Sequence, residues 1–205
     1  MGRGRRFRQW QQSKPPFPIS GRLGSKSLRV GKGKRRKTVA RRFSGEGEQT
    51  VDSKGRVSVP ALFRRVVEAC DPEWKDGLRP ELMIVYGTEK QNHLQCYTIE
   101  AIEGIHRRID RMKKGSIERR MLERLYHGHS MPAQIVEDGR IVLPQKLRKK
   151  LDLDDKAFFI ASGDHFQIWK PSTYEEIEMA RVDEWLDQQD DDFDPSSLLP
   201  DLPEE

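Results

Sequence analysis

The sequence predicts an α+β protein made of two equivalent halves fused into one interleaved domain, held between two disordered ends. Two observations carry this reading. First, one pattern occurs twice: V-D-S-K-G-R-V-S-V-P at 51–60 and I-V-E-D-G-R-I-V-L-P at 135–144. Each copy runs through a Gly-Arg turn into an alternating apolar stretch, a proline and a basic helical run, which is the signature of one small unit used twice. Second, charge is segregated. Residues 1–45 hold fifteen Lys/Arg and no Asp/Glu, residues 183–205 hold ten Asp/Glu and no Lys/Arg, and 46–182 hold 23 of each sign. The formal net charge of +5 is therefore a basic arm plus an acidic tail around a neutral body.

The elements follow in order. The arm, 1–45, is rich in Gly, Arg, Lys, Ser and Pro, and it lacks the apolar area needed to offset an ordering entropy of about 1–2 kcal/mol per residue. The first half, 46–97, opens with strand, turn and strand over Thr50–Pro60, with Gly55 at the turn. Pro60 suits the first position of a helix that buries Leu62, Phe63, Val66 and Val67. Leu82–Tyr86 and Leu94–Tyr97 then form a hairpin around a polar loop. The connector, 98–130, is helical: Ile102, Ile105, Ile109 and Met112 share one face, and Ile117, Met121, Leu122 and Leu125 another after a break at Gly115. Ser116 is the expected N-cap of the second connector helix.

The second half, 131–182, repeats this order. Gln134–Val136 and Ile141–Leu143 flank Gly139, a helix after Pro144 turns Leu147 and Leu151 inward, and Phe158–Ala161 pairs with Phe166–Trp169. A last helix after Pro171 carries Tyr174, Ile177 and Val182. The tail, 183–205, is expected to be disordered beyond a helical start through Trp185 and Leu186. Each half is too small for a good core of its own, so the halves are expected to fuse.

Composition narrows the class. Cys70 and Cys96 stand in apolar surroundings without a C-x-x-C spacing, which points to reduced structural thiols and the cytoplasm. No secretory apolar region follows the basic start, and no stretch approaches 18 apolar residues, so no membrane role is expected. His127, Gly128 and His129 with Glu123 lack the tight spacing of a zinc site and read as structural. Nucleophile elbow, phosphate loop and dinucleotide fingerprint are absent from the sequence, so no enzyme and no cofactor is expected.

The candidate binding residues lie on the repeated turns. Arg56 and Arg140 each follow a turn glycine, Gly55 and Gly139, and a guanidinium can donate two parallel hydrogen bonds to guanine or grip a phosphate. Asp52, four residues before Arg56, can hold that side chain in one orientation, and Lys54 on the same turn can meet phosphate. Arg64 and Arg65 on the first helix, with Lys146, Arg148, Lys149 and Lys150 on the second, are further phosphate candidates. Solvated helix charges and a turn-stabilising ion pair are the plainer alternatives.

Three segments carry a family likeness: D-S-K-G-R-V-S-V-P at 52–60, E-R-R-M-L-E-R-L-Y-H-G-H at 118–129 and D-G-R-I-V-L-P-Q-K-L-R at 138–148. Over roughly Phe43 to Arg181 the chain resembles the MraZ regulators encoded at the head of the bacterial division and cell-wall gene cluster. The resemblance implies two pseudo-equivalent swapped-hairpin halves of the AbrB type in one β-barrel-type domain with short helices. It further implies a homo-oligomeric ring on double-stranded promoter DNA with short direct repeats, bound through D-x-x-x-R turns in the nucleoid. Asp52 and Arg56 match that motif in full, whereas Val136 stands at the aspartate position of the second turn. The resemblance does not reach the arm or the tail. The arm, with Phe7, Trp10 and Phe17 among its cations, suits non-specific, salt-sensitive nucleic-acid contact, and the tail could compete for it. The rival reading is an oligomeric protein-interaction scaffold that carries this arm; RNA suits the arm but finds no aromatic platform in the turns.

Overall fold

The computed structural model describes residues 42–190 and 192–201. Among the described residues, eight strands and six α-helices follow in the order β1 (Glu46–Thr50), β2 (Arg56–Ser58), α1 (Ala61–Ala69), β3 (Glu81–Val85), β4 (His93–Thr98), α2 (Ile99–Asp110), α3 (Ile117–Glu123), β5 (Ser130–Gln134), β6 (Arg140–Val142), α4 (Gln145–Lys150), β7 (Lys156–Ser162), β8 (His165–Trp169), α5 (Pro171–Tyr174) and α6 (Ala180–Asp187). The protein is α+β, with antiparallel pairing throughout.

One six-stranded sheet has the order β1-β7-β8-β4-β3-β5, and a separate two-stranded ribbon pairs β2 with β6. The repeats therefore reach across each other. β1 lies on the hairpin of the later half, β5 on the hairpin of the earlier one, and the two strands that leave the Gly-Arg turns pair together. In the ribbon, Val57 faces its own counterpart Ile141, and in the sheet Gln95 faces its counterpart Gln167. The expected strand-turn-strand hairpin at 50–60 is thus only a single bridge, Val51 to Val57, because both of its strands find their long partners in the other half.

Alternation explains the main core. Val57 and Ile141 point inward from the ribbon and meet Leu82, Ile84, Leu94, Cys96, Phe159, Phe166 and Ile168 from the sheet. Ile141 is fully buried, a change that stabilises by about 1.5–3 kcal/mol for such a side chain. Helices α1 and α4 close the ends with Phe63, Val66, Val67, Leu147 and Leu151, and Phe43 adds edge-on ring contacts to Phe63 and Phe166. On the outer face of the sheet, α2 sets Ile102 against Val85 and Tyr97.

Several expectations change. Leu62 is 62% exposed, since α1 turns Phe63, Val66 and Val67 inward and leaves position 62 on the opposite side. Ile117 and Met121 are also exposed, because α3 meets its surroundings through the half-buried Leu122 and a pin formed by Arg119. The Arg119 Nη1 donates to the carbonyls of Asp110 and Met112 at 3.0 and 3.1 Å, and Nε donates to Glu123 at 2.7 Å. Val182 is exposed, and the helix after Pro171 runs through a π-helical turn at Glu175–Met179 into α6, which carries Trp185 and Leu186 and ends at Asp187. Pro60 and Pro144 are extended (ψ 140° and 150°), so each helix begins one residue after its proline. Ser116 caps α3 as expected, its hydroxyl accepting from the Arg119 amide at 3.2 Å.

Candidate nucleic-acid interface

The ribbon presents the two turns side by side. Because Val57 and Ile141 face the core, Arg56, Ser58, Arg140 and Val142 occupy the opposite face, with Arg56 opposite Val142 and Ser58 opposite Arg140. Arg56 and Arg140 are then diagonal neighbours across the strand pair, a relation that spaces residues by about 7–8 Å. Both arginine side chains are about two-fifths exposed, at 42% and 40%.

The backbone of the two turns is the same. In the first, Asp52 N–H donates to Arg56 O at 3.0 Å and Gly55 N–H to Asp52 O at 2.8 Å; in the second, Val136 N–H donates to Arg140 O at 2.9 Å and Gly139 N–H to Val136 O at 2.8 Å. Gly55 and Gly139 have φ of +79° and +77°, the left-handed region that favours glycine. Each glycine carbonyl is fixed from the other strand: Leu143 N–H donates to Gly55 O at 2.8 Å, and Val59 N–H to Gly139 O at 2.9 Å.

The side chains differ. Asp52 Oδ1 accepts from the amides of Lys54 and Arg56, both at 2.9 Å, while Oδ2 accepts from Arg56 Nε at 2.6 Å. The Arg56 amide, with smaller contributions from its guanidinium and the Lys54 amide, outweighs desolvation and holds the Asp52 carboxyl below the usual carboxylate range. One carboxylate therefore shapes the turn and aims its arginine. In the second turn Val136 takes the aspartate position, and Arg140 Nε instead lies 3.5 Å from Asp138 Oδ2. Glu137 pairs sideways with Arg79 at 2.9 Å. Arg140 is thus the less constrained of the two.

The remaining candidates divide. Lys54 is exposed at the tip of the first turn, and Arg65 and Lys149 are exposed on their helices. Lys146 stands 5.0 Å from the centre of the Tyr86 ring, and Lys150 Nζ donates to the carbonyls of Thr88 and Gln91 at 2.6 and 2.8 Å. Those two lysines serve the β3–β4 loop. Arg64 and Arg148 are half-buried and lie over the turn glycines, Arg64 at Gly139 and Arg148 at Gly55. Sequence reasoning missed Ser58 and Val142, which the pairing of β2 with β6 brings beside the arginines. The signal was a Val at 142 on a short strand whose neighbours 141 and 143 had to be inward.

The histidines of the connector stack on other rings. His127 stacks on His106 at 4.1 Å and His129 on Tyr86 at 5.8 Å between ring centres. Among the described residues no three His, Cys, Asp or Glu side chains cluster as metal ligands, and no helix is long and apolar enough to cross a membrane.

Comparison with known proteins fits this architecture. Residues 133–193 match the family model described as "MraZ protein, putative antitoxin-like". A transcriptional regulator MraZ from Ruegeria pomeroyi is 56% identical over 161 residues, which cover 78% of this chain and 96% of that protein. The chain belongs to the MraZ family. Proteins of the same name from Cereibacter sphaeroides (42% identical, covering 72% of this chain and 90% of theirs) and Roseiflexus (31%, covering 66% and 85%) extend the likeness. The residues outside the Ruegeria match amount to about a fifth of this chain, from 78% coverage.

Proposed function

We propose that the chain is a transcriptional regulator that reads promoter DNA with the paired Gly-Arg turns. The observation that carries the reading is the β2–β6 ribbon, whose free face holds two arginines related by the internal repeat. A two-stranded ribbon fits the major groove of B-DNA, where arginine recognises guanine through O6 and N7. Arg56, aimed by Asp52, is the principal reader; Arg140 is the second, and Lys54 holds backbone phosphate. Strand exchange between the repeats supports describing the domain as two swapped-hairpin halves, 46–97 and 131–182, around a connector at 98–130.

One such ribbon discriminates weakly, about 1–3 kcal/mol per good contact. A homo-oligomeric ring that presents several ribbons to short direct repeats turns later contacts into intramolecular ones and gains avidity. The related proteins are named transcriptional regulators, and promoter binding at the division and cell-wall cluster is the corresponding role here, in the nucleoid. The arm (1–45) adds non-specific attraction through its fifteen cations, and the acidic tail competes with DNA for it. The exposed Ile117 and Met121 favour a second reading, a protein-docking scaffold.

Fluorescence anisotropy on DNA from upstream of the chain's own gene, against scrambled DNA, separates the two. Arg56→Ala is expected to erase the preference for upstream DNA, and removal of residues 1–42 to lower both affinities together. An unchanged preference in Arg56→Ala would leave the scaffold as the better account.

A further inference from the structure

The basic helices were the natural place to look for phosphate contacts, yet two of their arginines point elsewhere. Arg148 on α4 belongs to the later repeat, but it lies on the turn of the earlier one. Its Nε donates to Leu143 O at 3.1 Å, and a Cβ built on Gly55 would meet Arg148 Nε at 2.8 Å and Leu143 O at 2.5 Å. Arg64 on α1 is its counterpart in the repeat, and it covers Gly139 in the later turn with its guanidinium, Nη1 nearest. The two contacts cross. Each turn is therefore roofed by an arginine of the opposite half, while its glycine carbonyl is held by the opposite strand, through Leu143 N–H for Gly55 and Val59 N–H for Gly139.

We infer that Arg148 and Arg64 are positioning residues, each holding the recognition turn of the opposite half in place instead of binding DNA itself. The inference rests on the reading that the turns bind DNA, and it adds to it a division of labour among the basic residues. The chemistry suits arginine. A planar guanidinium can cover the glycine and still spend Nε on a carbonyl, whereas an ammonium is a hydrated point charge without a face. The geometry also accounts for glycine at the turn beyond its backbone angle. A side chain at Gly55 would displace both the roof and the Leu143 carbonyl. Arg148 reaches that carbonyl and so links the first residue pair of its own helix entry to the opposite turn: Gly55 O accepts from Leu143 N–H, and Leu143 O accepts from Arg148 Nε. Neither half completes a recognition turn alone.

The crossing gives the test its specificity. The full chain is compared with Arg148→Lys, which keeps the charge and removes the plane, and with Arg148→Ala. Preference for upstream over scrambled DNA is expected to fall about 5- to 150-fold in both, the range for one misplaced base contact. In a Lys54→Ala background, where the first turn's own phosphate contact is already gone, adding Arg148→Ala is expected to leave the slope of log affinity on log salt in place, because a lost phosphate contact would reduce it by about one. Combined with Arg56→Ala, Arg148→Lys is expected to cause no further loss; combined with Arg140→Ala, its effect is expected to add. Where Arg56→Ala does lose the preference, its full retention by Arg148→Lys, a slope lowered by about one when Arg148→Ala is added to Lys54→Ala, or additivity with Arg56→Ala would each overturn the inference.

A second readout needs no DNA. In amide ¹H–¹⁵N spectra, Arg148→Lys is expected to shift Gly55 and Arg56 and to leave Gly139 and Arg140 in place, and Arg64→Lys to do the reverse. Shifts confined to the variant's own half would overturn the crossed brace. Loss of DNA preference by neither Arg56→Ala nor Arg148→Lys, with crossed shifts intact, would count against the DNA reading and leave the brace standing.

Discussion

Replacing Val136 by aspartate tests whether a carboxylate at that position is what readies the turn arginine. The two turns share their backbone hydrogen bonds to within 0.1 Å, so Val136 occupies the place from which Asp52 grips Arg56. Asp52 reaches Arg56 Nε at 2.6 Å, whereas Arg140 has only Asp138 at 3.5 Å. An arginine ordered before binding spares the ordering of a long side chain at the interface, about 0.5–1.5 kcal/mol. Val136→Asp is therefore expected to tighten binding to upstream DNA by about 2- to 13-fold per ribbon. Asp52→Ala is expected to weaken it by a similar factor. Anisotropy titrations of the two variants, each repeated in an Arg140→Ala or Arg56→Ala background, carry the assay. The gain should vanish when Arg140 is removed. No gain from Val136→Asp in a chain where Arg140→Ala does weaken binding would refute the idea that the carboxylate aims the arginine.

Further outcomes follow from the same geometry. Ile141→Ala removes a fully buried side chain opposite Val57 at the ribbon centre, and chemical denaturation is expected to show a loss of about 2–5 kcal/mol. The Asp52 carboxyl is expected to titrate below the usual range in NMR pH series, and Arg56→Ala to raise it only in part, because the largest cause is the position 56 amide, which the variant keeps. His93 stacks on Trp169 at 4.3 Å, and burial pulls its pKa from 6.5 down to about 4. A histidine kept neutral in the fold stabilises most above its unfolded pKa, so the urea midpoint should fall as pH drops from about 6.5 towards 4 and level off below. His93→Gln should flatten that slope; an equal slope in the variant would remove His93 as its source. Val142 is exposed opposite Arg56 on the free face of the ribbon; if that face reads DNA, Val142 suits a thymine methyl, and replacing thymine by uracil in the site should weaken wild type more than Val142→Ala.

Much of this was legible in the sequence, and the rest was hidden for identifiable reasons. The repeat at 51–60 and 135–144, the Ser116 cap and the hairpins β3–β4 and β7–β8 are local signals, and each stands where its chemistry puts it. Strand partners are not local. Thr50–Pro60 has the alternation and glycine of a hairpin, but alternation is satisfied equally by any partner on the core side, and the partners here lie about a hundred residues away along the chain for β1 and in the second turn for β2. The same gap hid Ser58, Val142 and the crossing of Arg64 and Arg148. Helical spacing overcounted the apolar face at Leu62, Ile117 and Met121, since a short helix buries only as wide a stripe as its neighbour covers. At the turns the sequence already showed Asp52 before Arg56 and Val136 in the matching place before Arg140, and the structure adds the distances: Asp52 reaches Arg56 Nε at 2.6 Å, whereas Arg140 Nε has Asp138 at 3.5 Å.

Methylation protection of guanine N7 on upstream DNA addresses the central claim most directly. An arginine on guanine O6 and N7 in the major groove shields N7 from methylation. Wild-type protein is expected to protect a regularly repeated set of guanines. Arg56→Ala should lose one of these in every repeat, while those covered by Arg140 persist. Identical protection by wild type and Arg56→Ala, or none by either on DNA that both bind, would contradict a reading face on the β2–β6 ribbon.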